Sequence, residues 1–217
     1  MDGLKEWRGL WLPAGEQHLI DWMAKMNVVV DGKPAYQYHK LEAALGFCKQ
    51  RRRAVDIGAH CGLWSMHLVK QFENVEAFEP VELHREAFLR NTLNGRAALY
   101  ACALGDKAGK VAMATAASSS GDTTVAGEGD VPLCRLDDML PDADDVDFIK
   151  ADCEGYELFA LRGGEQLLRR CRPVIIVEQK PGKAQQFGLG ETDAVTWLKG
   201  LGYTLRREIS GDFILTA

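Results

Sequence analysis

The sequence has no CxxC pair, although six cysteines are spread over its 217 residues. Cys48, Cys61, Cys102, Cys134, Cys153 and Cys171 lie at spacings that fit no zinc site. In a chain of this size they are expected to be reduced and to act as small hydrophobes. Long apolar runs are also missing. Val28–Val30 and Val174–Val177 are the densest, and both are strand-length, far short of the roughly 20 residues of a membrane helix. No membrane span is therefore expected. The opening Met1-Asp2-Gly3-Leu4-Lys5-Glu6 lacks the apolar stretch of a secretory signal, so a cytoplasmic location is expected. A basic excess is absent too: 26 Lys and Arg stand against 31 Asp and Glu, a net charge of −5. That balance disfavours a dedicated duplex nucleic-acid binder, which needs a basic face to displace counterions. What is present is 47% hydrophobic and 26% charged. Such a chain is able to bury a core without disulfides or metals.

Residues 1–45 read as a helical or irregular lead-in, and residues 46–217 as the main domain. Within the lead-in, Leu19, Ile20, Met23 and Met26 fall at helical spacing, and Val28–Val30 runs into an Asp31-Gly32-Lys33-Pro34 turn. Leu41, Leu45 and Cys48 mark a second amphipathic helix. From residue 53 strands and helices alternate. Ala54–Ile57, Val75–Phe78, Ala98–Ala101, Asp147–Lys150 and Val174–Val177 read as strands. Helices are expected at Leu63–Phe72, Glu82–Leu93, Leu158–Leu168 and Thr192–Lys199. Lys110–Ala114 reads as one extra strand, followed by the polar loop Ser118–Asp122. Tyr203–Arg206 and Phe213–Thr216 flank a Ser210-Gly211-Asp212 hairpin signal. The rhythm predicts an α/β fold: a doubly wound parallel sheet with helices on both faces. Ligands of such sheets bind beyond the carboxyl ends of the strands, so chemistry is sought just after each strand.

Three motifs stand there. The first is Asp56-Ile57-Gly58-Ala59-His60-Cys61-Gly62. Gly58 permits close backbone approach to a ligand, and Gly62 lets the next helix pack near the strand. The glycine that admits a pyrophosphate in G-x-G-x-x-G is missing, which suits an adenosyl ligand without phosphate. The second is Glu79-Pro80, 23 residues after Asp56, near the offset of about 20 expected of a ribose-binding acid. The third is Lys150-Ala151-Asp152-Cys153-Glu154-Gly155-Tyr156-Glu157. Glu154 and Glu157, three apart, are expected to face one side of a first helical turn. Asp152 sits at the strand tip, where a carboxylate suits a cationic ligand. S-adenosylmethionine is adenosyl, ribose-bearing, phosphate-free and cationic, and it meets each requirement.

These stretches, with Ala103-Leu104-Gly105-Asp106, Leu136-Asp137 and Val177-Glu178, resemble the FkbM-type family of class I methyltransferases. The resemblance runs from about Val55 to about Glu178. It implies a Rossmann-like seven-strand sheet of order 3-2-1-4-5-7-6, the last strand antiparallel. It also implies S-adenosyl-L-methionine as methyl donor and O-methylation of a hydroxyl on a sugar, glycan or small metabolite. By position it places the donor against Asp56, Gly58, Ala59, His60, Gly62, Glu79, Pro80, Ala103, Leu104 and Asp152. Cys134-Arg135 departs from the family pattern, on the acceptor side.

A hydroxyl acceptor benefits from a general base, and Asp152 and Glu154 are the candidate catalytic residues. Glu178 and His60 are weighed beside them: Glu178 reads as a charged strand end, His60 as a loop residue packing on the donor. No metal site is expected, although Asp152 and Glu178 could offer two ligands. His18, His39, His67 and His84 show no metal spacing. Tyr36 and Tyr38 are either a lid over the donor or packing onto the sheet. Lys49-Gln50-Arg51-Arg52-Arg53 precedes the first strand and reads as a solvated face. Two alternatives remain open. One is an N-methyltransferase on nucleic acid or protein, disfavoured because no Asn/Asp-Pro-Pro-Tyr follows the fourth strand. The other is a non-catalytic adenosyl-binding protein of the same fold.

Overall fold

Val174, Ile175, Ile176, Val177 and Glu178 are all buried. Such a run needs cover on both faces, as in the interior of a parallel sheet. The computed structural model, which describes residues 3–92, 96–116 and 119–217, places this strand in a seven-stranded sheet. In chain order the strands are β1 (Arg53–Ile57), β2 (Asn74–Phe78), β3 (Ala97–Tyr100), β4 (Val146–Ala151), β5 (Val174–Glu178), β6 (Thr204–Ile209) and β7 (Asp212–Thr216). Their spatial order is 3-2-1-4-5-7-6. Pairings from β3 through β5 are parallel, while β7 runs antiparallel to both β5 and β6. The expected topology and its single reversed strand are therefore observed.

Two apolar layers cover the sheet. On one face Ile149, Ile175, Val177 and Leu215 pack against Leu158, Leu161, Leu167, Leu168 and Leu198. On the other, Phe148, Ile176 and Ile214 pack against Leu41, Leu45, Leu68 and Phe72. Successive strand residues thus feed opposite layers, as the pleat requires. No helix among the described residues is long and apolar enough to cross a membrane.

Several local expectations are corrected. The lead-in is not merely helical or irregular. Leu4–Trp7 pairs with Leu10–Pro13, and Val29–Val30 with Lys33–Pro34. Both hairpins turn on a residue–glycine pair at positive φ, Arg8-Gly9 and Asp31-Gly32, as does β6–β7 at Ser210-Gly211; this backbone twist matches that of paired strands. Met26, expected in the apolar stripe of helix His18–Met26, is exposed. The expected strand Lys110–Ala114 is two strands, Gly109–Val111 and Met113–Thr115, which pair with Val131–Cys134 and Thr123–Val125 respectively. The helix expected over Leu158–Leu168 is broken into Glu157–Arg162 and Glu165–Cys171. The break falls at Gly163-Gly164, where a Cβ on Gly163 would overlap the carbonyl oxygen of Gly105. The helix begun at Glu82 is described as far as Asn91; Leu93 and Ser118 lie outside the described residues.

The basic run before β1 is not simply solvated. Arg52 pairs with Asp147 at 2.6 Å, and Arg53 pairs with Asp145 at 2.8 Å and with Glu76. These acids open β4 or lie on β2, so the pairs pin the amino ends of three neighbouring strands.

Candidate active site

The loop after β1 is drawn across the tip of β2. The amides of Gly58 and Ala59 both donate to the Phe78 carbonyl, at 3.1 and 3.0 Å, and the Asp152 amide donates to Ile57 at 3.1 Å. Gly58 has φ +75°, and a Cβ there would overlap the Asp152 carbonyl oxygen. Only glycine lets β1 and β4 end this close together.

Beyond these tips lie two adjoining cavities. The first, about 540 Å³ including its mouth, runs from Gly58 and Glu79 over Pro80 to Leu104 and Tyr156. Its roof is the strand pair Met113–Thr115 and Thr123–Val125, through Met113, Thr123 and Val125. The second, about 510 Å³, is bounded by Ala59, Trp64, Lys150, Glu178 and Lys180, and by Leu19 and Tyr36 of the lead-in. Gly58, His60, Gly121, Asp152 and Glu154 line both.

Glu79 is buried at the end of β2. One oxygen accepts from the His60 amide at 2.8 Å; the other accepts from the Val81 amide at 2.8 Å and from His84 Nδ1 at 3.2 Å. Burial works to raise its pKa, but hydrogen bonds from His84 and Val81 and the nearby imidazoles hold it below the ordinary value. A carboxylate offers about four acceptor sites, so Glu79 keeps one for a ligand while fixing the loop around it.

Asp152, Glu154 and Glu178 converge, with one carboxylate oxygen from each within 4.8 Å of the others. Each has an ammonium beside it: Lys150 lies 3.5 Å from Asp152, Lys183 lies 2.6 Å from Glu154, and Lys180 pairs with Glu178. These three acids are the one group among the described residues whose spacing could hold a metal ion, and a cation there would compete with three ammonium groups. Lys150 is itself buried, donates to the Gly58 carbonyl at 3.1 Å and lies 3.3 Å from Asp56. Burial disfavours its charge, but Asp56 and Asp152 outweigh it and keep it protonated. Asp152, Glu154, Glu178, Lys150 and Lys180 line the second cavity, and Asp56, Asp122, Asp212, Lys40 and Lys183 extend the ion-pair network beyond that lining. Asp152, held below its ordinary pKa by Lys150 and Lys180 against burial, puts an ionised carboxylate where both cavities meet, which favours a cation.

Burial first, then the charge of Asp152, pushes Glu178 up to about 9. A raised acid binds its proton more tightly in the folded chain, so its contribution to stability is full below its ordinary value of 4.5 and is lost as pH rises toward 9. Glu157 behaves alike, but its value of about 7 ends its share earlier. The stability of Glu178→Gln is therefore expected to fall less than that of the wild type between pH 7 and 9.5, measured by urea unfolding. Equal slopes would contradict this.

Not every residue expected at the site reaches it. Gly58, Ala59, His60, Glu79, Pro80, Ala103, Leu104, Asp152 and Glu154 line one cavity or both. Asp56 lies beneath the loop, fully buried, accepting from the Ser65 hydroxyl at 2.7 Å. Gly62 faces the helix Glu82–Asn91, where a Cβ would press on Phe88. Glu157 does not share a helical face with Glu154. It starts the helix and folds back to accept from the Cys153 and Gly155 amides at 2.8 and 2.9 Å. Of the two tyrosines, Tyr36 lines the second cavity, whereas Tyr38 packs edge-on against His67. Residues that the sequence reading missed are Cys102, Trp64 and Tyr156 in the walls and His84 behind Glu79.

The Methyltransferase FkbM domain matches residues 56–205, which span the loop after β1, Glu79 and the Asp152 tip. The chain belongs to that family. Among solved structures, methyltransferase FkbM from Methylobacillus flagellatus superposes with a TM-score of 0.54 at 20% identity, covering 79% of this chain. This chain spans only 45% of that structure's length. Precorrin 8W decarboxylase from Methanobacterium thermoautotrophicum gives 0.51 at 16% identity, over 86% of this chain and 91% of that one. N-methyltransferase NodS from Bradyrhizobium japonicum, solved with S-adenosyl-L-homocysteine, gives 0.51 at 11% identity, over 82% of each chain. These identities speak for the fold. A comparison with curated proteins returns no relative. Within the FkbM family, then, this chain joins a methyltransferase fold to a two-chambered site with the Asp152 carboxylate where the chambers meet.

Proposed function

We propose that the chain transfers a methyl group from S-adenosyl-L-methionine to a hydroxyl of a sugar, glycan or small metabolite. The observation that carries this reading is the pair of cavities meeting at Asp152, one with a buried ribose-type acid, the other lined by aromatics and charge. The residues fit such a donor. Glu79 keeps an acceptor site at the β2 tip, Leu104, Met113 and Tyr156 offer apolar walls, and the Asp152 carboxylate suits a sulfonium or an ammonium. When bound, S-adenosylmethionine supplies a methyl carbon already activated by positive sulfur.

The chain's part is mainly alignment. Asp152, held by Lys150 and kept below its ordinary pKa by Lys150 and Lys180 against the effect of burial, stays ionised. It orients donor and acceptor by accepting their hydrogen bonds. Glu154 is raised by burial and by Asp152, which makes it the stronger base, and we assign it the acceptor's proton. Residues 46–217 form the catalytic unit in this proposal, and the lead-in, 1–45, closes the second cavity.

The test is transfer of labelled methyl from S-adenosylmethionine to hydroxylated sugars, glycans and small metabolites. Label in at least one acceptor is expected; none, with donor bound, would overturn the acceptor class. Glu79→Ala is expected to weaken S-adenosylhomocysteine binding by about 1.5–3 kcal/mol, the scale of a charge-assisted hydrogen bond. Unchanged affinity by calorimetry would remove Glu79 from the donor site.

A further inference from the structure

Glu16 belongs to the lead-in, outside the stretch that matches the family, yet it is 1% exposed. One of its oxygens accepts from the Leu19 amide at 2.8 Å; the other accepts from the Ser120 amide at 2.8 Å and from the Ser120 hydroxyl. Ser120 Oγ lies 2.9 Å from His60 Nε2. The His60 ring packs edge-on against His84, 4.2 Å between centroids, and His84 bonds Glu79. A connected chain thus runs from the lead-in to the ribose-type acid.

Proton counting gives this chain a direction. An ionised carboxylate only accepts, and a hydroxyl has one proton to give. Glu16 is held ionised: burial raises its pKa, but bonds from Ser120 and Leu19 bring it below the ordinary value. The Ser120 proton therefore points at Glu16, and Ser120 Oγ accepts from His60. Burial, then His84, keeps His60 neutral, at about 3. A neutral imidazole that donates from Nε2 carries its lone pair on Nδ1.

We propose that Glu16 is a positioning residue of the methyl-donor site, holding His60, through Ser120, as the Nε2–H tautomer where the two cavities meet. The same contact holds Ser120 and its neighbour Gly121, which lines both cavities, and the Thr123 hydroxyl donates to the Ser120 carbonyl at 2.8 Å. The lead-in thereby fixes the roof of the donor cavity as well as the imidazole. This inference rests on the donor reading above, but one of its readouts does not.

The test uses the full chain with ¹⁵N-labelled histidine. In the wild type at neutral pH, His60 is expected to show a protonated-type Nε2 and a pyridine-type Nδ1. Glu16→Ala is expected to mix the tautomers. Calorimetry with S-adenosylhomocysteine is expected to show about 5- to 20-fold weaker binding for Glu16→Ala and for Ser120→Ala, the scale of one or two hydrogen bonds. The double variant should bind no more weakly than the worse single, since both break one chain. A merely structural Glu16 would lower Tm without moving the tautomer. Wild-type tautomer and wild-type affinity in Glu16→Ala would overturn the proposal. Should the alanine variant lose its fold, Ser120→Ala, which removes the hydroxyl between Glu16 and His60, is read the same way. A wild-type chain that binds no S-adenosylhomocysteine would overturn the donor reading instead, and the tautomer result would still decide the role of Glu16.

Discussion

Asp152→Asn is expected to lower turnover by about 10²- to 10⁴-fold, the range of a lost acid–base or orienting group, while shifting Tm by only a few degrees. The site geometry explains the split. Asp152 stands at the β4 tip where both cavities meet, beside the ammonium of Lys150. The amide is nearly isosteric and leaves the Asp152 backbone bond to Ile57 untouched. On the proposed reading it removes the charge that would anchor a cationic donor and one acceptor site for the incoming hydroxyl. Methyl transfer neutralises a sulfonium, so an acid beside it gains little by attraction alone in the transition state; its value lies in orientation. Both kcat and donor affinity should therefore fall. A fully active Asp152→Asn enzyme would take Asp152 out of the mechanism.

The second large effect is on stability. Lys40, on the helix Tyr38–Leu45, pairs with Asp212 at the start of β7, and both are nearly inaccessible. Lys40→Met leaves the Asp212 carboxylate buried without its partner. The expected cost is about 3–5 kcal/mol, or on the order of 10 °C in Tm for a domain of this size. Replacing both, Lys40→Met with Asp212→Leu, should recover most of the loss, because no bare charge remains. A single variant as stable as the wild type in thermal unfolding would show that the pair does not tie this helix to the sheet.

The main sheet was legible because parallel strands covered on both faces need unbroken apolar runs. Val174–Val177 is such a run and could hardly serve elsewhere. Gly58, Glu79 and Asp152 were legible because each follows a strand of the repeating strand–helix pattern, where the fold places ligands. The lead-in hairpin was not. Its turn is Arg8-Gly9, a weaker signal than Asp-Gly, and its strands are only four residues long. His84 was invisible for another reason. It sits within a helix, and its bond to Glu79 depends on how that helix leaves the strand. The basic run before β1 misled because its partners, Asp145 and Asp147, come alongside only once β4 lies beside β1. Glu16 and Ser120 meet across 104 residues, and no local pattern encodes such a meeting.

The most direct measurement is a crystal structure of the chain with S-adenosylhomocysteine. The nucleoside is expected in the cavity under Met113 and Val125, its ribose at Glu79 and its amino-acid end toward Asp152. Density in another place, or none at a concentration that saturates other methyltransferases, would contradict it.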